Sequence, residues 1–242
     1  MERLISFVLQ MMLVSGMLTG YYWIVLRNRK LHHYNRAYLL GTVLLSLLVP
    51  LLPLHWAPFA AVSQRVLGGT VEHVENLSRE ADHGIPLVTI GCAVGLIVSL
   101  ILLVLSLRHV ARVYLLKARQ RVRPMFGFDL IETDDPRAPF SFLNNLFWRQ
   151  DADPDDPVNQ KILHHELAHI RGRHSWDGLF AQAACCICWV NPFFWIIRRE
   201  LSVVHEFIAD AATGMEGDGE GFARMLLQSV NQGRWLEPAQ GY

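Results

Sequence analysis

Three long apolar runs dominate the first half of the chain. Residues 5–26 hold Gln10 as their single strongly polar position. Residues 38–56 form a second run, with Pro50 and Pro53 near its end and Pro58 just beyond. Residues 85–107 form a third, without a charge. A bilayer core of ~30 Å needs about 20 apolar residues in a helix rising ~1.5 Å per residue. All three runs meet that length, so the pattern predicts three membrane-spanning helices. The first is read as a retained span: it is long, only Glu2 and Arg3 precede it, and no small-x-small cleavage site follows.

The pattern changes near Phe126. Residues 128–133, closed by Asp134-Asp135-Pro136, read as a short strand, and residues 139–143 and 146–148 as two more. An acidic, proline-containing loop over 151–157 leads into a helix. Asp156 suits its N-cap, Pro157 its first turn and Gly172 its end. A further helix is expected over about 194–212. The fold class is therefore mainly α and membrane-embedded. Three transmembrane helices in residues 1–107 precede a small α+β domain in residues 108–242, with a short sheet. Domain size fits a chain of 242 residues.

Composition narrows this picture. Hydrophobic residues make up 52% of the chain, and the excess lies in the apolar runs. Formal net charge is zero, so no global charge argues for nucleic acid. Cys92, Cys185, Cys186 and Cys188 all lie in apolar segments, which suits small buried hydrophobes rather than disulfides. Gly16-x-x-x-Gly20 and Gly91-x-x-x-Gly95 fit close helix packing in lipid and ordinary membrane glycine usage equally well.

Charge is distributed asymmetrically between the loops. Arg27, Arg29, Lys30 and Arg36 flank the first, without an acid. The second, about 57–84, carries Glu72, Glu75, Glu80 and Asp82 against Arg65 and Arg79. Arg108, Arg112, Lys117, Arg119, Arg121 and Arg123 follow the third run, again without an acid. Basic segments stay cytoplasmic. The expected orientation puts the N-terminus outside and everything after residue 108 at the cytoplasmic face. The basic stretch 108–123 is expected to contact anionic membrane lipid rather than nucleic acid.

The expected helix over 157–172 contains His165-Glu166-Leu167-Ala168-His169. Residues four apart share a helix face, so His165 and His169 can hold one metal ion, with Glu166 placed as general base. A third ligand decides the class. A second histidine spacing, H-E-x-x-H-x-x-G-x-x-H, fails: Gly172 fits, but Ser175 occupies the ligand position and His174 misses it by one. A glutamate from a later helix fits better. Glu206, with Asp210 one turn on, lies on the expected helix over 194–212. Glu206 would bind zinc, one ion per chain, and Asp210 would accept a hydrogen bond from a ligand histidine. Arg173, His174 and His205 are candidate oxyanion or substrate contacts, with surface positions as the plainer reading of these residues. His164 is expected at the surface too.

His165-Glu166-x-x-His169 with Asp177 downstream, Asn191-Pro192-Phe193-Phe194-Trp195, Glu206-x-x-Ala209-Asp210 and the upstream Pro139-Phe140-Ser141-Phe142 occur in one order. This order resembles the BlaR/MecR antirepressor family of bacterial membrane zinc metallopeptidases, of gluzincin type, over nearly the whole chain. The resemblance implies His165, His169 and Glu206 as zinc ligands, Glu166 as general base and Asp210 as support. It implies an edge strand at Phe140, Ser141 and Phe142 that pairs with a substrate backbone. It also implies a protein substrate, such as a transcriptional repressor, cut at the cytoplasmic face of the inner membrane during signal transduction. No penicillin-binding domain and no S-x-x-K motif stand in these residues, so antibiotic sensing is not expected.

Residues 179–197 are apolar enough to suggest a fourth span. A single crossing would put His169 and Glu206 on opposite sides of the membrane, although both must reach one ion. A re-entrant or membrane-associated hairpin is expected instead, its two short helices meeting near Asn191-Pro192. Two other readings compete. One is a housekeeping membrane protease of the HtpX or CAAX-protease type. The other is a non-catalytic signal transducer whose zinc is structural, for which four protein ligands would be usual. An oligomer is compatible with the sequence, but no feature supports one.

Overall fold

The computed structural model describes residues 2–52, 87–125, 127–152 and 156–213. The whole acidic loop expected over 57–84, and the chain after residue 213, lie outside them. Helix α1 (Glu2–Tyr21) continues through a π turn to Leu26, and α2 (His32–Leu48) closes in a 3-10 turn at Val49–Leu51, where Pro50 sits. Helix α3 covers Leu87–Ala118. Three helices among the described residues are long and apolar enough to cross a membrane: Ser6–Leu26, His32–Leu51 and Thr89–Ala118. The third helix was expected to stop near residue 107 but runs to Ala118, because arginine and lysine are good helix formers and end the hydropathy without ending the helix.

The chain divides into two compact units. The first joins residues 1–108 to Phe180–Leu201; the second joins His109–Leu179 to residues 202–242. In the first, Tyr38 Oη donates to the Leu18 carbonyl at 2.9 Å and Asn35 Nδ2 to the Leu26 carbonyl at 3.2 Å, fastening α2 to α1. Helix α5 (His174–Ile187) and helix α6 (Pro192–Ala212) are separated by residues 188–191, so the apolar stretch is broken at Asn191-Pro192. Asn191 is fully buried. Its Oδ1 accepts from the Phe193 amide at 3.0 Å, capping α6, and its Nδ2 donates to Ser15 Oγ at 2.9 Å. A Cβ on Gly16 would stand 2.9 Å from the Phe193 ring, whereas Gly20, Gly91 and Gly95 have open space. Close packing through glycine thus occurs at Gly16. All four cysteines are free; Cys185 and Cys186 are buried, but Cys92 is exposed, since α3 presents it outward.

The second unit contains a mixed four-stranded sheet in the order β1-β2-β4-β3: β1 (Arg121–Met125), β2 (Phe128–Thr133), β3 (Phe140–Phe142) and β4 (Asn145–Arg149). Strands β2 and β4 run parallel, while β1 and β3 pair antiparallel with them. The core comes from Ile131, Leu146 and Phe147, each fully buried, with the Phe140 ring stacked on Phe147 at 4.5 Å. Strand β1 was not expected from the sequence. All five of its residues are exposed, so neither face is buried and it is a strand because β2 pairs with it. At the end of α3, Lys117 Nζ bonds Asp129 Oδ2 and Asn145 Oδ1, both at 2.7 Å. One residue of the basic stretch therefore ties α3 to β2 and β4. Helix α4 (Pro157–Arg171) starts as expected: Asp156 accepts from the Val158 amide and Pro157 opens the first turn.

Candidate metal centre

Helix α4 places His165 and His169 one turn apart, and their Nε2 atoms face each other at 3.2 Å. Helix α6 brings Glu206 to the same point. Its Oε2 lies 3.3 Å from His165 Nε2 and its Oε1 3.7 Å from His169 Nε2. A tetrahedral ion with metal–ligand bonds of ~2.0–2.1 Å holds its ligand atoms about 3.3 Å apart. The two imidazoles and the carboxylate stand near that separation, so this group could hold a metal ion. Two histidines and one glutamate are donor types that suit a divalent metal such as zinc.

The surrounding groups treat the two histidines differently. His165 Nδ1 lies 3.1 Å from Asp210 Oδ1, so both of its ring nitrogens face carboxylates. Burial disfavours its imidazolium, but the Glu206 hydrogen bond and the charges of Glu166, Glu206 and Asp210 outweigh burial and raise its pKa. Among the described residues, the other nitrogen of His169 meets an imidazole: its Nδ1 lies 3.0 Å from His174 Nδ1. Burial lowers its pKa to about 4, against the pull of Glu206. Neutral imidazole is the form a metal needs. The hydrogen bond from His165 holds Glu206 below the usual carboxylate range, against the effect of burial.

Glu166 is half-buried on the same helix. Burial pushes its carboxyl upward, opposed by hydrogen bonds from the Ser141 hydroxyl and backbone and by the His165 charge. Ser141 lies on β3, at the edge of the sheet, so Phe140, Ser141 and Phe142 have β4 as their single strand neighbour among the described residues. The loop after β3 is held by a hydrogen bond from the Leu143 amide to Ser175 Oγ at 2.9 Å.

The remaining expected residues fall in two places. Arg173 is exposed, with φ 55°, and His164 is exposed as expected. His174 and His205 do not have the surface positions that were the plainer reading of these residues: they are 4% and 6% exposed. They stack with ring centroids 4.2 Å apart and planes 7° from parallel. They lie on the Nδ1 side of His169, while the ligand atoms converge on its Nε2 side. His205 Nε2 is 3.0 Å from Asp177 Oδ2. The contact of Asp177 with His205 and the Ser141 bond with Glu166 were not among the expected contacts. Asp177 was findable, because it stands three residues after His174 and so shares its face of α5.

Residues 155–237 match the family model described as BlaR1 peptidase M56. The match covers about a third of the chain and includes all the converging residues above. It supports the family that the motif order resembles and suggests a metallopeptidase. With the three apolar helices, it also suggests a membrane protein. No curated protein matches the chain.

Proposed function

We propose that the chain is a membrane-bound zinc metalloendopeptidase. It cuts a regulatory, repressor-like protein at the cytoplasmic face of a bacterial inner membrane. The observation that carries this reading is the convergence of His165 Nε2, His169 Nε2 and Glu206 at the spacing of a tetrahedral ion, with Glu166 beside them. Bound zinc would polarise a scissile carbonyl and acidify a water molecule. Glu166 takes a proton from that water and returns it to the leaving amine, a role helped by a carboxyl raised by burial. The edge position of β3 gives an extended substrate backbone groups to pair with near Glu166. The basic residues flanking the first loop and following residue 107 support a cytoplasmic address. The break at 188–191 supports a hairpin over 179–197 that does not cross the membrane, leaving His169 and Glu206 on one side.

The test is metal analysis and cleavage of a cytoplasmic repressor-type substrate by the full chain in membranes, for the wild type and Glu166→Gln. The wild type should hold one zinc ion and cleave. The variant should hold zinc and lose cleavage by a factor of about 10²–10⁴. Full activity in the variant would remove Glu166 from its role, and wild-type protein without zinc would remove the reading itself.

A further inference from the structure

The geometry points to His174 as a positioning residue for the ligand His169, acting through a histidine–histidine hydrogen bond rather than a carboxylate. The inference rests on the metal-binding part of the proposed function, not on peptide cleavage. In the bond between His169 Nδ1 and His174 Nδ1, at 3.0 Å, one nitrogen must donate and the other accept. His169 offers its Nε2 lone pair toward His165 and Glu206. Its proton therefore resides on Nδ1, and His174 Nδ1 is the acceptor. The donor direction fixes the tautomer and the plane of the ligand ring, the task a carboxylate or backbone carbonyl performs in most zinc sites.

His174 is itself held on three sides. It begins α5 one residue after Arg173, whose positive φ of 55° turns the chain out of α4. Gly172 leaves room for its ring: a Cβ there would lie 2.5 Å from His174 Nε2 and 2.8 Å from Cδ2. The His205 ring covers its other face, and Asp177 Oδ2 accepts from His205 Nε2. His205 precedes the ligand Glu206 on α6. The stack thus joins the helix carrying the third ligand to the ring that orients the second. His174 is not a fourth ligand, because its nitrogen meets His169 on the side away from the converging atoms.

The test measures zinc affinity of the full chain in detergent by competition with a chelator. The variants are His174→Phe, His174→Gln and His174→Asn. Phenylalanine keeps a ring for the stack but no acceptor. The amide oxygen of asparagine can replace Nδ1, whereas glutamine places its amide nearer the Nε2 position. Loss of a supporting hydrogen bond weakens metal binding about 10–100-fold. The phenylalanine and glutamine variants should show that loss, and asparagine should restore affinity to within about threefold of wild type. Equal affinity in all four proteins would overturn the assignment, and so would an equal loss in all three variants, which marks a packing role. Wild type that binds zinc without cleaving peptide would sink peptidase activity alone; wild type that binds no zinc would sink both.

Discussion

Replacing Gly172 with alanine sets two opposed effects against each other at a single methyl group. Gly172 has φ −71° and ψ −11°, an ordinary helical conformation for any residue. Helix propensity alone favours alanine over glycine by up to about 1 kcal/mol in a helix interior, and by less at this C-terminal position. Against that, the new Cβ would stand 2.5 Å from His174 Nε2 and 3.0 Å from the Ala168 carbonyl oxygen. Ordinary carbon contacts are ~3.5–4.0 Å, so the ring must retreat by about 1 Å. The backbone oxygen lies in the last turn of α4 and has less freedom to move. Overpacking of this kind costs about 1–3 kcal/mol, which exceeds the propensity gain. A net loss of about 1–2 kcal/mol is expected. The retreat also draws His174 Nδ1 from its 3.0 Å contact with His169, so zinc affinity should fall together with stability. Thermal unfolding of the detergent-solubilised chain and chelator competition on the same samples measure the two quantities. A variant more stable than wild type with unchanged zinc affinity would refute the close packing of His174 over Gly172.

Other substitutions probe separate contacts. Asn191→Ala removes a cap and a buried bond to Ser15, and should cost about 1–3 kcal/mol in thermal unfolding. If its effect simply adds to that of Ser15→Ala, the coupling between α1 and the Asn191 cap is absent. Asp210→Asn removes the carboxylate facing His165 Nδ1 and should weaken zinc binding about 10–100-fold by chelator competition; unchanged affinity would show that His165 needs no such support. Asp135 is held below the ordinary carboxylate range, chiefly by hydrogen bonds from the Arg137 guanidinium. A depressed folded pKa stabilises above the unfolded value of about 3.9 and is lost as pH falls through the folded value. The difference in unfolding midpoint between wild type and Asp135→Asn should therefore be present at neutral pH and shrink below about pH 4; a difference that grows with acid would contradict the sign.

What the sequence disclosed was set by how local each cause is. The start of α4 was legible because Asp156 and Pro157 cap the helix they begin. The pairing of His165 with His169 was legible because one turn of helix fixes its spacing, and the approach of Glu206 because it heads a separate motif block. Strands β2 and β4 carried apolar side chains into a core, and β3 stacks Phe140 on Phe147. Strand β1 carried none, and its hydrogen bonds to β2 are invisible in composition. The run of α3 past residue 107 was hidden because arginine and lysine end a hydropathy pattern without ending a helix. The burial of His174 depends on a missing Cβ at Gly172 and on a ring from His205, 31 residues away. No window of adjacent residues contains both causes. The available clue was the paired offset: Asp177 three residues after His174, and His205 directly before Glu206.

That hidden cluster makes His165 and His169 inequivalent, and the inequivalence bears on how an ion would enter. His165, set between Glu206 and Asp210, is shifted toward holding a proton, whereas His169 is pushed to about 4 by burial and meets an imidazole at its far nitrogen. The raised value at His165 favours a proton that metal would have to displace, while burial favours neutral His169. Asp210 retains the remaining His165 proton on Nδ1. A carboxylate placed where His174 stands would favour a proton on His169, whose ring lies 5.0 Å from that of His165. A neutral acceptor orients His169 without that charge. The supporting group thus sets both the direction of the ligand and its readiness to bind.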